Sequence, residues 1–205
     1  MILLLCVNSL LTPWAIAQEP SGIEELIKEL KGAEAAGDKS EAARLCNKIG
    51  FGYWSANRLT DAIPYFSKSL QYNEDSENLN GAAALHNYLG LIYSDLHNYD
   101  LAFQHLESAL KIRRQLNDKK NVFSELLNIA VLRRQKGDHA ASIPLIEEAL
   151  EIGKELNDIV LLRRCYGMLA EAHESLKNTE QSIEYYNLFA ALDKEIRRQE
   201  QQKLE

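Results

Sequence analysis

The stretch LGLIYSDLHNYDLAF, residues 89–103, decides the fold. Two small residues, Gly90 and Ala102, stand on either side of Asn98, and apolar residues recur at helical spacing before and after that asparagine. Asparagine is a common helix-capping residue. The stretch therefore predicts two helices joined by a turn at Asn98, with close backbones where Gly90 and Ala102 meet, because a larger side chain there would force the helices apart.

The same arrangement returns every 40 residues without an insertion, from about residue 38 to residue 192. One register of small residues holds Gly50, Gly90, Ala130 and Ala170, and another holds Ala62, Ala102, Ser142 and Ser182. Ile23, Leu26 and Leu30 fall in register with Ile63, Phe66 and Leu70. Self-similarity at a fixed period indicates a repeat architecture, here a half repeat at 21–37 and repeats at about 38–77, 78–117, 118–157 and 158–195.

Turn signals divide each repeat into a helix pair. We expect turns at Asn98, at Gly137 with Asp138, and at Asn178, whose spacing to Gln181 is that of a capping box. A longer break at LND, residues 116–118 and again 156–158, is expected to separate one repeat from the next.

The residues Leu89, Gly90, Tyr93, Asn98, Tyr99, Ala102, Leu106, Ala109 and Leu110 together resemble the tetratricopeptide repeat, in its long form of about 40 residues. The resemblance covers about residues 21–195, within a domain of 18–195. Departures from the pattern are Arg133 and His173 in place of the tyrosine, Ser142 and Ser182 in place of the second alanine, and Phe189 in place of a small residue. The resemblance implies an all-α fold, a right-handed superhelical α-solenoid of antiparallel helix pairs.

The two ends of the sequence differ from the repeats. Residues 1–17, MILLLCVNSLLTPWAIA, are uncharged, apolar from Ile2 to Leu11, and end in small residues. They resemble a secretory signal cleaved after Ala17 and predict an exported bacterial protein, periplasmic or secreted; the alternative is an uncleaved anchor, the one case in which we expect membrane contact. At the other end, residues 196–205 are expected to form a polar extension of the last helix.

Charge and side-chain chemistry exclude several classes of function. A net charge of -7 argues against a nucleic-acid partner. The five histidines never adopt an HExxH spacing, and no nucleophile with a base, acid pair or metal cluster is evident. We therefore expect no catalytic residue, no metal, no cofactor and no enzymatic activity. Cys46 and Cys165, three repeats apart, are expected to be buried and unpaired, since a disulfide needs Cα atoms within about 7 Å.

In the tetratricopeptide family a stripe beside the core of each first helix lines the concave groove that grips extended peptides. Carried over by position, the resemblance implies a groove lined by Arg44, Asn47, Phe51, Trp54, Asn87, Leu91, Asp95, Leu127, Val131, Arg134, Arg164 and Glu171. Asn47 and Asn87 offer both a donor and an acceptor to a peptide backbone. The predicted function is a scaffold that binds a protein or peptide. The alternative is the sensory module of a histidine kinase or transcriptional regulator, dimerising through its charged C-terminal helix, with the output domain absent.

Overall fold

The computed structural model describes residues 22–203, which form nine α-helices and no strand. The all-α fold predicted from the sequence is therefore confirmed for this part of the chain. A single helix is followed by four pairs, each made of a first helix and a second helix. The helices are α1 Ile23–Ala35, α2 Lys39–Ser55, α3 Leu59–Asp75, α4 Leu79–Asp95, α5 Tyr99–Gln115, α6 Lys119–Gln135, α7 His139–Glu155, α8 Ile159–Ser175 and α9 Thr179–Gln202. The expected export signal, residues 1–17, lies outside the described residues.

Each helix packs chiefly against the helix before it and the helix after it in the chain. This nearest-neighbour packing defines a solenoid. The first helices lie side by side: α4 and α6 come within 8 Å of each other between Cα atoms, and Ser94 of α4 donates a hydrogen bond to Gln135 of α6 at 2.8 Å. We call the side of α2, α4, α6 and α8 that faces away from the second helices the first-helix face.

The turns between the helices share one construction. Every break spans three residues, and its middle residue has a positive φ; these residues are Gly37, Asn57, Glu77, His97, Asn117, Gly137, Asn157 and Lys177. A left-handed residue directly after a helix ends the hydrogen-bonded ladder and reverses the chain. The expected longer break at LND is wrong, because residues 116–118 and 156–158 form the same three-residue turn as residues 96–98.

Side chains cap most of the helix starts. Asn98 accepts a hydrogen bond from the backbone N–H of Leu101 at 3.4 Å, and Asp138 accepts one from Ala141 at 3.2 Å, which satisfies donors that the helix leaves unpaired. The capping box expected at Asn178 is wrong: its side chain makes no cap hydrogen bond, and its Nδ2 lies 3.3 Å from Nδ1 of His173.

Glycines mark the close crossing of first and second helices. A Cβ atom added to Gly90 would lie 2.7 Å from Cγ of Leu106 and 3.3 Å from the carbonyl oxygen of Ala102. One added to Gly50 would lie 2.8 Å from the ring of Phe66. The prediction that Gly90 and Ala102 bring the helices together is confirmed, with Leu106 filling the space over the glycine.

The core runs through the stack as two clusters of buried side chains joined at Tyr93, which packs against both. Cys46 belongs to one cluster and Cys165 to the other, and both are fully buried and free, as predicted. Burial raises the pKa of the Cys46 thiol to about 11 and that of Cys165 to about 12. Both cysteines therefore act as small apolar core residues.

The last helix is longer than the others, with 24 residues against 17 in each of α2 to α8. It continues past the packed part of the final pair as far as Gln202. None of the helices within residues 22–203 combines the length and apolar character that a membrane crossing requires.

Candidate functional site

The N-terminal end of the first-helix face carries an aromatic cluster. Phe51 stacks on Trp54 with ring centroids 5.8 Å apart, and it meets Tyr88 of the neighbouring first helix edge-on at 4.9 Å. The buried ring of Phe66 supports both from below, at 5.2 Å from Phe51 and 6.0 Å from Trp54. Phe51 remains 39% exposed. Two predicted groove residues, Phe51 and Trp54, are therefore in contact with each other. Tyr88, which was not among the predicted groove residues, also belongs to the cluster.

A cleft of about 390 Å³ opens beside this cluster, between α2 and α4. Arg44, Asn47, Asn73 and Tyr88 contribute to its lining. Arg44 is held in an ion pair with Glu41 one turn away. The Oδ1 atom of Asn47 is buried and accepts no hydrogen bond from the residues that the structure describes. A buried acceptor without a donor is costly, so a donor that reached this atom from the cleft would be stabilising.

Asn87 has a different environment from Asn47. Its Nδ2 donates to Oε2 of Glu125 on the next first helix at 2.5 Å. Glu125 is 3% exposed, and burial raises the pKa of its carboxyl group, against the opposing effect of the Asn87 hydrogen bond. One donor of Asn87 is therefore committed to a contact within the protein. Neither Glu125 nor this contact was predicted.

The middle of the first-helix face is apolar, and its predicted residues differ in exposure. Val131 is 38% exposed, and Leu91 is half-buried. Leu127, by contrast, is fully buried in the core. The expectation that Leu127 lines the groove is therefore wrong, because its side chain points between the packed helices.

Charged side chains dominate the C-terminal end of the face. Arg134 of α6 and Glu171 of α8 form an ion pair at 2.6 Å, so two predicted groove residues contact each other. Asp95 and Arg164 are exposed. The tyrosine hydroxyl of Tyr186 donates to Glu174 at 2.8 Å. The face changes along its length from aromatic, through aliphatic, to charged.

The histidines reveal one pair that their sequence spacing does not show. Nδ1 of His86 and Nδ1 of His105 are 2.9 Å apart, and the ring of Tyr93 stacks on His105. Burial and the neighbouring His86 lower the pKa of His105 to about 4. Within residues 22–203, no group of three or more histidine, cysteine, aspartate or glutamate residues is arranged to hold a metal ion.

These features define an α-solenoid of repeated helix pairs with an exposed, partly aromatic face on its first helices. The family model for the tetratricopeptide repeat matches residues 40–115 and 123–195, more than half of the chain. The chain belongs to the tetratricopeptide repeat family. This fold is typical of protein-interaction modules, and the family is generally non-catalytic.

Known proteins of different kinds are similar to this chain. The Tonsoku-like protein of Drosophila melanogaster is 24% identical over 180 residues, which cover 78% of this chain but only 13% of that protein. A signal transduction ATPase with numerous domains and a tetratricopeptide repeat sensor, from Pyrococcus horikoshii, has a TM-score of 0.71 and 22% identity, covering 85% of this chain and 28% of the other. A Rap protein complexed with competence and sporulation factor has a TM-score of 0.65 and 18% identity, with coverages of 83% and 48%. Identities this low show a shared fold and nothing finer.

Proposed function

We propose that this protein is a non-enzymatic scaffold that binds an extended or helical segment of a protein partner on its first-helix face. The observation that carries the proposal is the partly exposed cluster of Phe51, Trp54 and Tyr88 beside a cleft lined by Asn47, whose Oδ1 accepts no hydrogen bond from the described residues. An aromatic anchor next to a backbone-binding group is a common basis of peptide recognition. The Rap protein of similar fold, which is complexed with competence and sporulation factor, supports the proposal.

The different parts of the face would recognise different parts of the partner segment. Apolar side chains of the partner would pack on Phe51 and Val131, and a backbone N–H would donate to Asn47. Arg134 and Glu171 already neutralise each other, so charge at the C-terminal end would contribute little net affinity. Affinity would therefore concentrate near the aromatic cluster.

The test is to select peptides from a displayed random library against the full chain and to measure their affinities by calorimetry. Asn47→Ala should weaken a selected peptide roughly 2- to 13-fold, the equivalent of one net hydrogen bond of about 0.5–1.5 kcal/mol. Phe51→Ala should weaken it at least as much, because it removes an aromatic anchor. Gln104→Ala, an exposed change on the second helix α5, is the control. Equal affinity for all four proteins would reject the first-helix face as the binding surface.

A second candidate function, a sensory module that dimerises through its last helix, rests on α9. This helix is longer than α2 to α8 and ends at Gln202, and its side chains from residue 197 to residue 202 are exposed. The tetratricopeptide repeat sensor of the Pyrococcus horikoshii protein supports this alternative. Light scattering should find a dimer of the full chain and a monomer after removal of residues 194–205, a cut that keeps the Arg163–Asp193 ion pair at 2.6 Å. A monomer in both cases would remove this candidate.

We further propose that the chain is exported, on the basis of the signal-like sequence of residues 1–17. Expression of the full chain in a bacterium and mass spectrometry of the exported fraction should give a mature N-terminus at Gln18. Recovery of the intact chain in the membrane fraction would favour the uncleaved anchor instead.

A further inference from the structure

Two equivalent positions carry stacked rings in three of the four helix pairs. In the first pair Tyr53 stacks on Tyr65, with centroids 5.5 Å apart and ring planes 26° apart. In the second pair Tyr93 stacks on His105 at 5.5 Å and 15°. In the fourth pair His173 stacks on Tyr185 at 5.5 Å and 23°. Each stack joins the end of a first helix to the second helix of its own pair and fills the space between them.

The third pair has no rings at these two positions. They are held by Arg133 and Leu145, each 40 residues after its counterpart, Tyr93 or His105. The guanidinium of Arg133 turns towards α5, where it lies 4.3 Å from the centre of the Phe103 ring. It is also 4.0 Å from the carboxylate of Asp138. In the third pair, therefore, no ring stack fills the space between the end of α6 and α7.

A cleft of about 620 Å³ lies at this place, between the second helices α5 and α7. We call it the second-helix cleft. Its apolar lining comes from Leu110 of α5, Ile129 of α6, and Pro144 and Leu145 of α7. Small-molecule sites typically occupy about 300–1,000 Å³ and are mainly apolar, with a few polar groups that orient the ligand. The second-helix cleft has both the size and the lining of such a site.

Basic side chains outnumber acidic ones in the lining of this cleft, although the protein as a whole has a net charge of -7. Lys111, Arg114 and Arg133 line the cleft, against one acidic residue, Glu107. Arg114 is paired with Glu148 at 2.6 Å. Lys111 forms no ion pair with any residue in the described part of the chain. The cleft therefore offers an unpaired cation beside an apolar space.

We propose that the second-helix cleft binds a small organic anion whose flat, ring-containing body replaces the missing ring stack and whose acidic group pairs with Lys111. The ring would lie against Leu145 and Pro144, in the place that the ring of Tyr93 or His173 occupies in the neighbouring pairs. The acidic group would remain at the mouth of the cleft. This site is separate from the first-helix face, so the proposal does not depend on the proposed function.

The probe for the test is 1-anilinonaphthalene-8-sulfonate, which has a ring body and one anionic group, and its fluorescence is titrated with the full chain. We expect one molecule bound per chain. Replacing both Arg133 and Leu145 with tyrosine rebuilds the Tyr53–Tyr65 stack, so Arg133→Tyr/Leu145→Tyr should abolish that binding. Circular dichroism and a thermal melt establish that the double variant is folded.

A second variant tests the charge without touching the core. Lys111→Gln changes an exposed side chain and should weaken the probe about two- to five-fold, the usual range for one exposed ion pair. The uncharged analogue N-phenyl-1-naphthylamine should bind Lys111→Gln and the unchanged protein equally. Lys120→Gln, an exposed lysine outside the cleft, is the matched control and should have no effect.

Three results would overturn the proposal. The first is unchanged sulfonate binding in the folded Arg133→Tyr/Leu145→Tyr variant, especially if Phe51→Ala reduces binding, because the probe would then occupy the aromatic cluster. The second is equal loss for Lys111→Gln and Lys120→Gln, which would indicate a general effect of charge. The third is no saturable binding to the unchanged protein.

Discussion

Two helical glycines, Gly32 and Gly90, show how much the surroundings of a residue determine its role. A Cβ atom on Gly32 of α1 would have no heavy atom within 4 Å outside its own helix, whereas one on Gly90 would press against Leu106. Glycine costs a helix about 1 kcal/mol relative to alanine. At Gly32 nothing in the packing offsets that cost. At Gly90 the close crossing of α4 and α5 does.

Alanine substitutions at the two glycines should therefore have different effects. Gly32→Ala should increase the free energy of unfolding by up to about 1 kcal/mol, through helix propensity alone. Gly90→Ala should be less stable than Gly32→Ala by about 1–3 kcal/mol, because the added methyl group overpacks the contact with Leu106. Urea denaturation followed by circular dichroism measures both. Equal gains in stability would mean that the crossing at Gly90 is not tight.

The pair of His86 and His105 gives the stability a defined pH dependence. Burial lowers the pKa of both rings, and that of His105 falls to about 4 from an ordinary value of 6.5. Between these two pH values the unfolded chain binds a proton at His105 that the folded chain does not bind. Stability therefore falls as the pH decreases from 6.5 to 4. Glu74 is the nearest carboxylate, 3.7 Å from Nε2 of His86, and Tyr93 covers the other ring.

Replacing His105 with tyrosine, the residue at the equivalent position 65, should reduce this pH dependence and retain the ring stack with Tyr93. The measurement is the urea midpoint at pH 7.5 and pH 5 for the unchanged protein and for His105→Tyr. His97→Asn, a change at an exposed turn residue of positive φ, serves as the control and should leave the dependence unaltered. If His105→Tyr loses as much stability at pH 5 as the unchanged protein, the histidine pair is not its source.

At the scale of the helices, the middle position of each turn requires a positive φ, and some of the residues found there adopt that conformation more easily than others. Gly37 and Gly137 adopt a positive φ freely, and asparagine does so more readily than other side chains. Glu77 and Lys177 hold the same conformation at φ 56° and 61°. Both are exposed, so nothing in the packing requires their side chains.

Glycine at either of these two turns should therefore stabilise the protein. Glu77→Gly and Lys177→Gly should each raise the free energy of unfolding by up to about 1 kcal/mol, since the left-handed conformation costs an ordinary residue about 1–2 kcal/mol and glycine loses more entropy on folding. Gly137→Lys is the reciprocal control and should destabilise by a similar amount. Thermal melts monitored by circular dichroism decide the matter. No change in any of the three variants would contradict this account.

The helix pairs could be predicted from the sequence because their determinants recur within each repeat. The register of Gly50, Gly90, Ala130 and Ala170 reports a crossing inside one pair, and the asparagine and aspartate caps report local backbone geometry. The length of the breaks between repeats was mispredicted, because Leu116 keeps helical backbone geometry as the C-cap of α5 and Asn117 directly after it adopts the left-handed conformation. The residues of LND, whose composition suggests a loop, form the same three-residue turn as the other breaks.

At the scale of the whole molecule, burial declines towards the C-terminal end. Ile146 in α7 is fully buried, but its equivalent in α9, Tyr186, is 39% exposed. In α3, α5 and α7 this position is covered by the first helix of the following pair, and within the described residues no helix follows α9. In a solenoid each helix pair depends on its neighbours for stability.

We therefore expect the last helix to open before the interior of the array. Hydrogen exchange followed by mass spectrometry should show amides of α9 after Tyr186 exchanging at least about ten-fold faster than their equivalents in α7, because local opening there exposes few buried contacts. The amides of α5 provide an interior reference. Equal protection of α9 and α7 would indicate that something else covers the last helix.

The candidate site was predicted less completely than the fold, for a reason that belongs to the whole molecule. The family pattern identifies a stripe on one helix, but contacts between successive first helices decide which of its members reach the surface. The Asn87–Glu125 hydrogen bond and the burial of Leu127 depend on how α6 lies against α4. The His86–His105 pair likewise joins residues 19 apart in sequence, and no other repeat has a histidine at either position. The pattern of residues within one repeat does not specify these contacts between helices.

Because every break has the same length, the distance along the chain from one helix start to the next is constant in α2 to α9. Excision of residues 78–117 would join Glu77 directly to Asp118. The aspartate would cap the next helix in place of Asn78, and every later helix would keep its original side. Loss of half that length would instead exchange the places of first and second helices in the rest of the chain. The array can therefore gain or lose whole pairs as interchangeable units, and its first-helix face can change in length without a change in any turn.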